Sequence, residues 1–230
     1  MRFSHLIFIV AALALAIVQP VHAEENVSGP VYIVTYFDVA PTAAAESAGI
    51  VRHYAEASRE EDGNTGLQVF QEIGRPSRFA ILEAWRDKKA SDAHSAAAAA
   101  TAFRDKMQPL MLGGFGVRPH SGLSVATSNA QFPSEALFVI THVDVFPVHK
   151  DPAIELVKAQ ADAARKGDGN LRFDVLQWDG HPNHFTLVEA WRDRKAFDAS
   201  VTAATAKDFR QKLTPLEGAL YDERLYQLVR

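Results

Sequence analysis

Glu83-Ala84-Trp85-Arg86-Asp87 is a five-residue stretch that returns unchanged, 106 residues later, as Glu189-Ala190-Trp191-Arg192-Asp193. Each copy follows an apolar run that opens with phenylalanine, and such a run predicts a β-strand. Because residues two apart in a strand share a face, each glutamate lies beside its tryptophan. A buried carboxylate is costly unless it is paired, so we expect an arginine partner for each glutamate. The repeated candidates are Arg104 with Arg210, and Arg118 with Arg224.

The repetition extends over most of the chain. A shift of 106 residues aligns 31–118 with 137–224 without a gap, and 34 of the 88 aligned pairs are identical. A repeat of this length indicates duplication of a whole domain rather than of a solenoid unit. We therefore predict one repeat at 31–125, a linker at 126–135 and a second repeat at 136–230.

Each repeat has the same predicted order of elements, β-α-β-β-α-β. In the first repeat, residues 31–39 are rich in β-branched and aromatic types, as strands are. Asp62-Gly63-Asn64 ends the helix that follows, with the glycine in a left-handed conformation. Residues 87–110 are predicted as a helix that begins at the Asp87 cap and includes the alanine run 96–100. A last strand is expected at 115–125.

This order predicts an α+β fold made of two ferredoxin-like (βαββαβ) repeats. The helices of such a unit cover one face of its sheet, and the other face needs a cover. The second repeat is the obvious cover, so we expect the two halves to pair sheet to sheet within one chain.

The N-terminal segment 1–23 has the features of a signal peptide. Arg2 supplies a positive start, Leu6 to Val18 form an apolar run, and Val21-His22-Ala23 offers small residues for cleavage. The apolar run is short compared with the roughly 20 residues that span a bilayer. We therefore expect a periplasmic or secreted protein that has no membrane attachment after cleavage.

Composition excludes several kinds of partner and site. The formal net charge of −4 argues against a nucleic-acid surface. Cysteine is absent, which excludes disulfides, thiolate metal sites and covalent c-type haem attachment. His181 and His184 lack an identifiable third ligand, so no metal site is predicted. No phosphate loop or dinucleotide fingerprint occurs, and we expect no cofactor.

The run 182–193, together with Phe197-Asp198 and residues 221–226, resembles the antibiotic biosynthesis monooxygenase (ABM) domain. Proteins of that family are small dimeric α/β barrels, and the resemblance covers both repeats. It implies that two tandem copies form in one chain the barrel that relatives make from two chains. The superfamily contains cofactor-free oxygenases of quinols and polyphenols, haem-degrading relatives and members without demonstrated chemistry.

The candidate site residues follow from the repeated pair and from this resemblance. In the resembling family the stretch of helix around His94 faces the cavity over the sheet, and histidine can take a phenolic proton near neutral pH. The corresponding residue in the second repeat is Ser200, so we expect the two cavities to differ. The predicted catalytic residues are His94 as the base, Trp85 as an aromatic wall, and Arg104 and Arg118 as stabilisers of oxyanion charge. The predicted pocket residues are Glu83, Tyr36, His142, Glu189, Trp191 and Arg224.

We predict an exported, cofactor-independent monooxygenase of small quinols or polyphenols, with a small aromatic substrate and molecular oxygen as its partners. Two alternatives stay open. One is a non-catalytic ligand-binding or stress-response module with the same cavity. The other is a haem-binding protein of the same fold, with His94 or His142 as the axial ligand. The sequence leaves further homo-oligomerisation open.

Overall fold

The computed structural model describes residues 29–126 and 131–230. The predicted signal segment 1–23 and residues 127–130 of the predicted linker lie outside these ranges. No helix within them is long and apolar enough to cross a bilayer. The elements of the first repeat are β1 (Val31–Asp38), α1 (Ala44–Arg59), β2 (Asn64–Glu72), β3 (Arg78–Trp85), α2 (Lys88–Ala96), α3 (Ala98–Met107) and β4 (Gly116–Ser124). Those of the second are β5 (Leu137–Asp144), α4 (Lys150–Ala164), β6 (Asn170–Trp178), β7 (His184–Trp191), α5 (Arg194–Thr202), α6 (Ala204–Leu213) and β8 (Asp222–Leu228).

The strands form one closed antiparallel barrel in the order β1-β3-β2-β8-β5-β7-β6-β4. The last strand of each repeat connects the halves: β8 pairs with β2, and β4 pairs with β6. Both edges of each four-stranded sheet are therefore paired, and closure of this kind removes the exposed edges that promote aggregation. The predicted α+β fold, in which two ferredoxin-like repeats form an intrachain barrel, is confirmed.

The two faces of the barrel wall have different cores. The inner face packs residues of both repeats against one another, including Leu82, Phe138 and Tyr226. The outer face packs against the helices, with one apolar cluster for the first repeat and two for the second. Glu83 and Trp85 alternate with inner-face residues such as Leu82, so both repeated pairs lie on the outer face, under the helices.

Two local features predicted from the sequence, a left-handed glycine and an aspartate cap, occur in both repeats. Gly63 and Gly169 have φ values of +84° and +79°, and a Cβ on either would lie 2.5 Å from an alanine side chain. Only glycine adopts this conformation readily and leaves the required space. Asp87 and Asp193 cap the next helices, each accepting a hydrogen bond of 2.8 Å from a backbone N–H.

The predicted continuous helix 87–110 is wrong, because it is interrupted at Ala97. Ala97 has extended backbone angles (φ −65°, ψ 149°), so α2 ends before it and α3 begins after it. The second repeat has the same break at Ala203, in a segment without an alanine run. The break therefore belongs to the fold: packing of Phe103 and Met107 on the sheet outweighs the helix propensity of alanine.

Candidate functional site

Each repeat has a cavity between its sheet and its helices that is lined by the repeated glutamate, and in the second repeat by the tryptophan as well. The cavity of the first repeat is about 140 Å³, and that of the second is about 330 Å³. In both repeats the tryptophan Nε1–H donates to its glutamate, over 3.1 Å from Trp85 to Glu83 and 2.9 Å from Trp191 to Glu189. The carboxylate is thus partnered by the neighbouring indole of its own strand.

The prediction that arginines pair with these glutamates is wrong. Arg104 donates to the Ser95 carbonyl and to Thr101. Arg118 and Arg224 sit opposite Val34 and Ile140 in the strand register, which places both arginines on the inner face of the barrel. There Arg224 binds Asp222, while the Arg118 guanidinium lies 4.8 Å from the ring centre of Trp178. Arg118 is therefore separated from Trp85 and His94 by the barrel wall.

A continuous hydrogen-bond network fills the first repeat's cavity. The Tyr54 hydroxyl donates to Glu83 over 2.9 Å and lies 2.7 Å from His94 Nε2. His94 Nδ1 lies 2.9 Å from Glu61 Oε2, and the ring stacks on Trp85 at 4.5 Å between centres. Both ring nitrogens of His94 are therefore engaged within the protein, and the side chain is only 3% exposed.

Protonation of His94 makes this network self-consistent. Burial lowers the pKa of His94, but the carboxylates of Glu83 and Glu61 outweigh it, so the pKa lies above its ordinary value. When protonated, His94 donates to Glu61 through Nδ1 and to the Tyr54 oxygen through Nε2, which leaves the Tyr54 proton for Glu83. His94 lies in the predicted cavity, and each of its ring nitrogens faces a protein partner.

Tyr54 also separates this cavity from a groove on the outer side of the helices. Tyr54 and Phe103 stack with ring centres 4.1 Å apart, and both residues line the inner cavity as well as an outer groove of about 430 Å³. The stacked rings form the partition between the two spaces. In the second repeat Gln160 stands in place of Tyr54, and the cavity extends outward past Ala163 and Thr205.

Of the residues in the first repeat's hydrogen-bond network, the second repeat keeps only the equivalents of Glu83 and Trp85. Gln160, Gly167 and Ser200 stand at the positions of Tyr54, Glu61 and His94. Among the described residues, Glu189 receives one hydrogen bond, from Trp191 to Oε2, and Oε1 has no partner. Glu189 is 6% exposed and lines the cavity. Burial raises its pKa to about 8, against the lowering effect of the Trp191 hydrogen bond.

Aromatic rings and two further charged groups complete the larger cavity. Its walls include Phe197, Phe209 and Tyr221, and the Arg210 guanidinium lies 3.6 Å from the ring centre of Tyr221. Glu223 also lines it, and burial raises the pKa of this carboxyl although Arg210 acts in the opposite direction. The first repeat has Phe115 and Val117 where the second has Tyr221 and Glu223. The larger cavity is therefore an aromatic pocket with two carboxyl groups.

Comparison with known families identifies the chain. The sequence model of the family described as "Antibiotic biosynthesis monooxygenase" matches residues 30–106 and again residues 136–212, which together are more than half of the chain. The chain belongs to the ABM family. Each repeat matches the family separately, so the chain contains two ABM domains.

Individual relatives agree with this assignment. "Putative monooxygenase YcnE" of Bacillus subtilis is 29% identical over 76 residues, which are 33% of this chain and 80% of that protein. The crystal structure of a "Putative monooxygenase" from Fusobacterium nucleatum has a TM-score of 0.81 at 17% identity and covers 89% of this chain and 94% of the other. A "putative monooxygenase" from Lactobacillus acidophilus has a TM-score of 0.74 at 15% identity, covering 88% and 95%. These two structures show that other single chains have the whole fold.

The remaining predicted site residues of this ABM protein lie inside the barrel. The rings of Tyr36 and His142, which occupy equivalent positions in the two repeats, contact each other with centres 5.2 Å apart. His142 Nδ1 lies 3.4 Å from Thr186 Oγ1, which in turn lies 3.0 Å from His120 Nε2. Burial, assisted by the charge of Arg118, lowers the pKa of His142 to about 3. Tyr36, His142, Arg118 and Arg224 thus form a separate polar cluster.

Sequence reasoning missed the residues that distinguish the two cavities of the ABM pair. A signal for them was present, since each lies at a position where the aligned repeats differ. The missed residues are Tyr54, Glu61, Gln160, Gly167, Tyr221 and Glu223. The His94/Ser200 difference was recognised, and the expected inequality of the two cavities is confirmed by their volumes.

Proposed function

We propose that this ABM-family protein is a cofactor-independent monooxygenase of small quinols or polyphenols, and that the reaction takes place in the cavity of the second repeat. Family membership supports oxygenation as the class of reaction. The observation that carries the location is Glu189, a buried carboxyl with one oxygen atom unpartnered among the described residues, lining an aromatic cavity. A carboxyl oxygen that no protein donor occupies, in a residue that lines an aromatic cavity, is placed to accept a proton from a bound phenol.

The size of the cavity supports the same choice. Ligand pockets for small molecules commonly measure about 300–1,000 Å³, and the second cavity, at about 330 Å³, falls within that range. The first cavity, at about 140 Å³, does not, because the Tyr54 network fills it. We infer that the first repeat keeps a structural copy of the site.

Glu189 supplies the proton acceptor that the reaction needs. With its pKa near 8, a substantial fraction of Glu189 is ionised in mildly alkaline solution, and a base works best when its pKa is near the working pH. The carboxylate takes a phenolic proton, and the electron-rich phenolate then gives electrons to molecular oxygen. Trp191, Phe197 and Phe209 hold the ring in an apolar environment that favours proton transfer at this buried group.

The overall reaction balances without any further reductant. A quinol and one oxygen molecule give a hydroxyquinone and one water molecule. Oxygen adds to a ring carbon, and the O–O bond breaks as that carbon loses its hydrogen, so one oxygen atom stays on the ring. The other oxygen atom leaves as water, and Glu189 returns its proton to this leaving oxygen. Arg210, at the cavity wall, stabilises negative charge on the oxygen atoms during these steps.

Oxygen uptake by chelator-treated protein over a panel of quinols tests the proposal. Glu189→Gln removes the base, and we expect kcat/KM to fall by about 100-fold or more. Glu83→Gln makes the same change in the first repeat and should leave uptake close to that of the wild type. For the wild type, kcat/KM should rise as Glu189 ionises, reach half its maximum near pH 8 and level off only at higher pH. Loss of activity in Glu83→Gln but not in Glu189→Gln would refute this location.

The same experiment separates the alternatives. A ligand that binds without oxygen uptake would favour the non-catalytic binding module. Haem titration of the wild type and of His94→Ala and His142→Ala tests the haem-binding alternative. None of the residues that line the larger cavity is a histidine, so we expect no Soret shift that depends on either residue.

We also propose that the protein is exported and that cleavage leaves Glu24 as the first residue. The charged start, the short apolar run and the small residues before position 24 support this. N-terminal sequencing of protein from the periplasm should give Glu24. A membrane-bound product that retains Met1 would contradict it.

A further inference from the structure

The two repeats place equivalent arginines inside one end of the barrel, but in different surroundings. Arg118 on β4 and Arg224 on β8 both lie on the inner face of the wall. Arg224 has a carboxylate partner on its own strand, since its Nε and Nη2 donate to Asp222 over 2.9 and 2.7 Å. Two parallel hydrogen bonds are the arrangement that a guanidinium favours with a carboxylate. The residue equivalent to Asp222 in the first repeat is Gly116, so Arg118 lacks this partner.

A second carboxylate near Arg224 is also replaced in the half of the barrel around Arg118. The hydrogen bonds to Asp222 raise the pKa of Arg224, and the charge of Glu72 adds to this rise. The residue equivalent to Glu72 is Trp178, whose ring centre lies 4.8 Å from the Arg118 guanidinium. In the described part of the chain, the Arg118 side chain makes contacts with ring faces but no ion pair and no hydrogen bond.

Gly116 leaves open the space that a carboxylate would need. It lies opposite Tyr36 of β1, so a side chain at position 116 would share the inner face with Tyr36 and Arg118. A Cβ at this position would make only ordinary contacts, 3.5 Å from the Tyr36 carbonyl oxygen and 3.9 Å from its Cβ. The place that the Asp222 side chain takes in one half is therefore without a side chain in the other. Gly116 is exposed, so this place is open to solvent.

The other carboxylates at this end of the barrel have partners of their own. Arg78 donates from Nε to Asp38 over 3.2 Å, and its Nη1 lies 3.8 Å from Glu72. Asn183 donates to Asp144 over 3.1 Å. These groups are engaged elsewhere, and none of them forms an ion pair with the Arg118 guanidinium within the described residues.

The charge of Arg118 acts on the histidines around it. Burial lowers the pKa of His120 to about 4 and that of His142 to about 3, and the Arg118 charge contributes to both. Burial also lowers the pKa of His184, with a contribution from Arg118 that opposes the effect of Asp144. The three imidazoles are neutral near pH 7, so they add no positive charge of their own. Arg118 is the cation in this half of the barrel end, and an anion would be attracted to it.

We propose that Arg118 and the open space at Gly116 form a binding site for a small organic carboxylate. The carboxylate of the ligand takes the place that Asp222 has beside Arg224, and the Arg118 guanidinium donates two parallel hydrogen bonds to it. A planar group with two oxygen atoms matches the fork of a guanidinium better than a single-atom anion does. The barrel wall separates this site from both cavities, so it is independent of the place where oxygenation occurs.

NMR of isotope-labelled protein, in which each arginine Nε–H gives its own resonance, tests the site. The probes are acetate and benzoate, with benzyl alcohol as the uncharged control and chloride at equal ionic strength as the control for screening. The Arg118 resonance is assigned by its absence in Arg118→Lys. We expect it to shift in a saturable way with both carboxylates and with neither control. Addition of a quinol should not reverse the shift, because the two sites are separate.

Two matched variants exchange the residues of the two halves. Gly116→Asp supplies the carboxylate within the chain, so the Arg118 resonance should shift without ligand. Its affinity for acetate should fall by about tenfold or more, since hydrogen bonds to charged groups contribute this much. Asp222→Gly opens the equivalent space, and the Arg224 resonance should then respond to acetate, though more weakly because Glu72 remains. Asp222→Ala opens most of the same space and serves if the glycine variant does not fold.

Several outcomes would overturn the site. One is an Arg118 resonance that does not respond to acetate or benzoate, and another is an equal response in Gly116→Asp. Shifts of the same size with chloride would show only screening of the charge. A stronger response to inorganic phosphate than to acetate would overturn a carboxylate as the ligand. Oxygen uptake is not the readout in any of these titrations, so their failure would leave the proposed function intact.

Discussion

The wild-type protein should lose stability as the pH rises, because Glu189 ionises. Replacement of Glu189 by glutamine should remove this loss. Burial raises the pKa of this carboxyl to about 8 in the folded protein, from an ordinary value of 4.5. Between these two values the folded state holds a proton that the unfolded state has released. The free energy of unfolding therefore falls as the pH rises through this window, by about 1 kcal/mol for each pH unit. The total is on the order of 4 kcal/mol.

Equilibrium unfolding in urea at pH 5, 6, 7 and 8 measures this effect. Other groups titrate in the same range, so the informative quantity is the difference between wild type and Glu189→Gln at each pH. We expect this difference to grow in favour of the variant by on the order of 3 kcal/mol from pH 5 to pH 8. Glutamine keeps an oxygen that accepts the Trp191 hydrogen bond, so the fold should persist.

The matched control is Glu83→Gln in the first repeat. Glu83 accepts from Tyr54 and Trp85 and lies 3.7 Å from His94 Nε2, so its replacement should lower the stability at every pH. The alkaline loss that originates at Glu189 should remain in this variant. A wild-type stability that does not fall between pH 5 and pH 8 relative to Glu189→Gln would refute the reasoning, as would loss of the effect in Glu83→Gln alone.

Two further predictions concern the partition and the barrel interior. Gln160→Tyr should fill the larger cavity and lower oxygen uptake by on the order of 100-fold. Tyr54→Gln in the first repeat should leave uptake unchanged, but the lost hydrogen bond to Glu83 should lower the stability in urea by about 1–3 kcal/mol. The reverse pattern would place the reaction in the first repeat. His142 is buried in its neutral form with a pKa of about 3, so stability should fall by about 1 kcal/mol for each pH unit below 6.5. In urea titrations between pH 6.5 and pH 4, His142→Phe should reduce this fall in the free energy of unfolding, whereas His53→Phe, at an exposed position, should not. An equal fall in the wild type and both variants would contradict the prediction.

The fold could be predicted because its determinants are local and occur twice. Gly63 and Gly169, and the caps Asp87 and Asp193, follow from short sequence patterns that the structure reproduces. The barrel follows from a sheet face that the repeat's own helices cannot cover. The break at Ala97 could not be predicted in this way, because alanine favours helix and only packing of the next helix on the sheet overrides that preference.

The candidate site could be predicted only in part, because some of its residues lie in one strand and others come from separate elements. Glu83 and Trp85 are neighbours in one strand, so their contact follows from the strand period. Tyr54, Glu61 and His94 come from separate elements and meet only when the helices pack, and no local pattern predicts that meeting. Arg118 was misplaced because a charge on the inner face of a barrel is unexpected. It is accommodated there by the faces of Tyr36 and Trp178.

Two ABM units in one chain can have different cavities, whereas the two cavities of a homodimer are identical. In a homodimer both cavities carry the same side chains, so any destabilising feature of the site arises twice. Here the cost of burying Glu189 without a full set of donors, on the order of 4 kcal/mol once it ionises, arises once. In the other repeat Tyr54, Glu61 and His94 satisfy the equivalent glutamate and fill the space. Function and stability often compete at an active site. With the reaction in the second cavity, as proposed above, the two requirements fall on different copies of the same cavity.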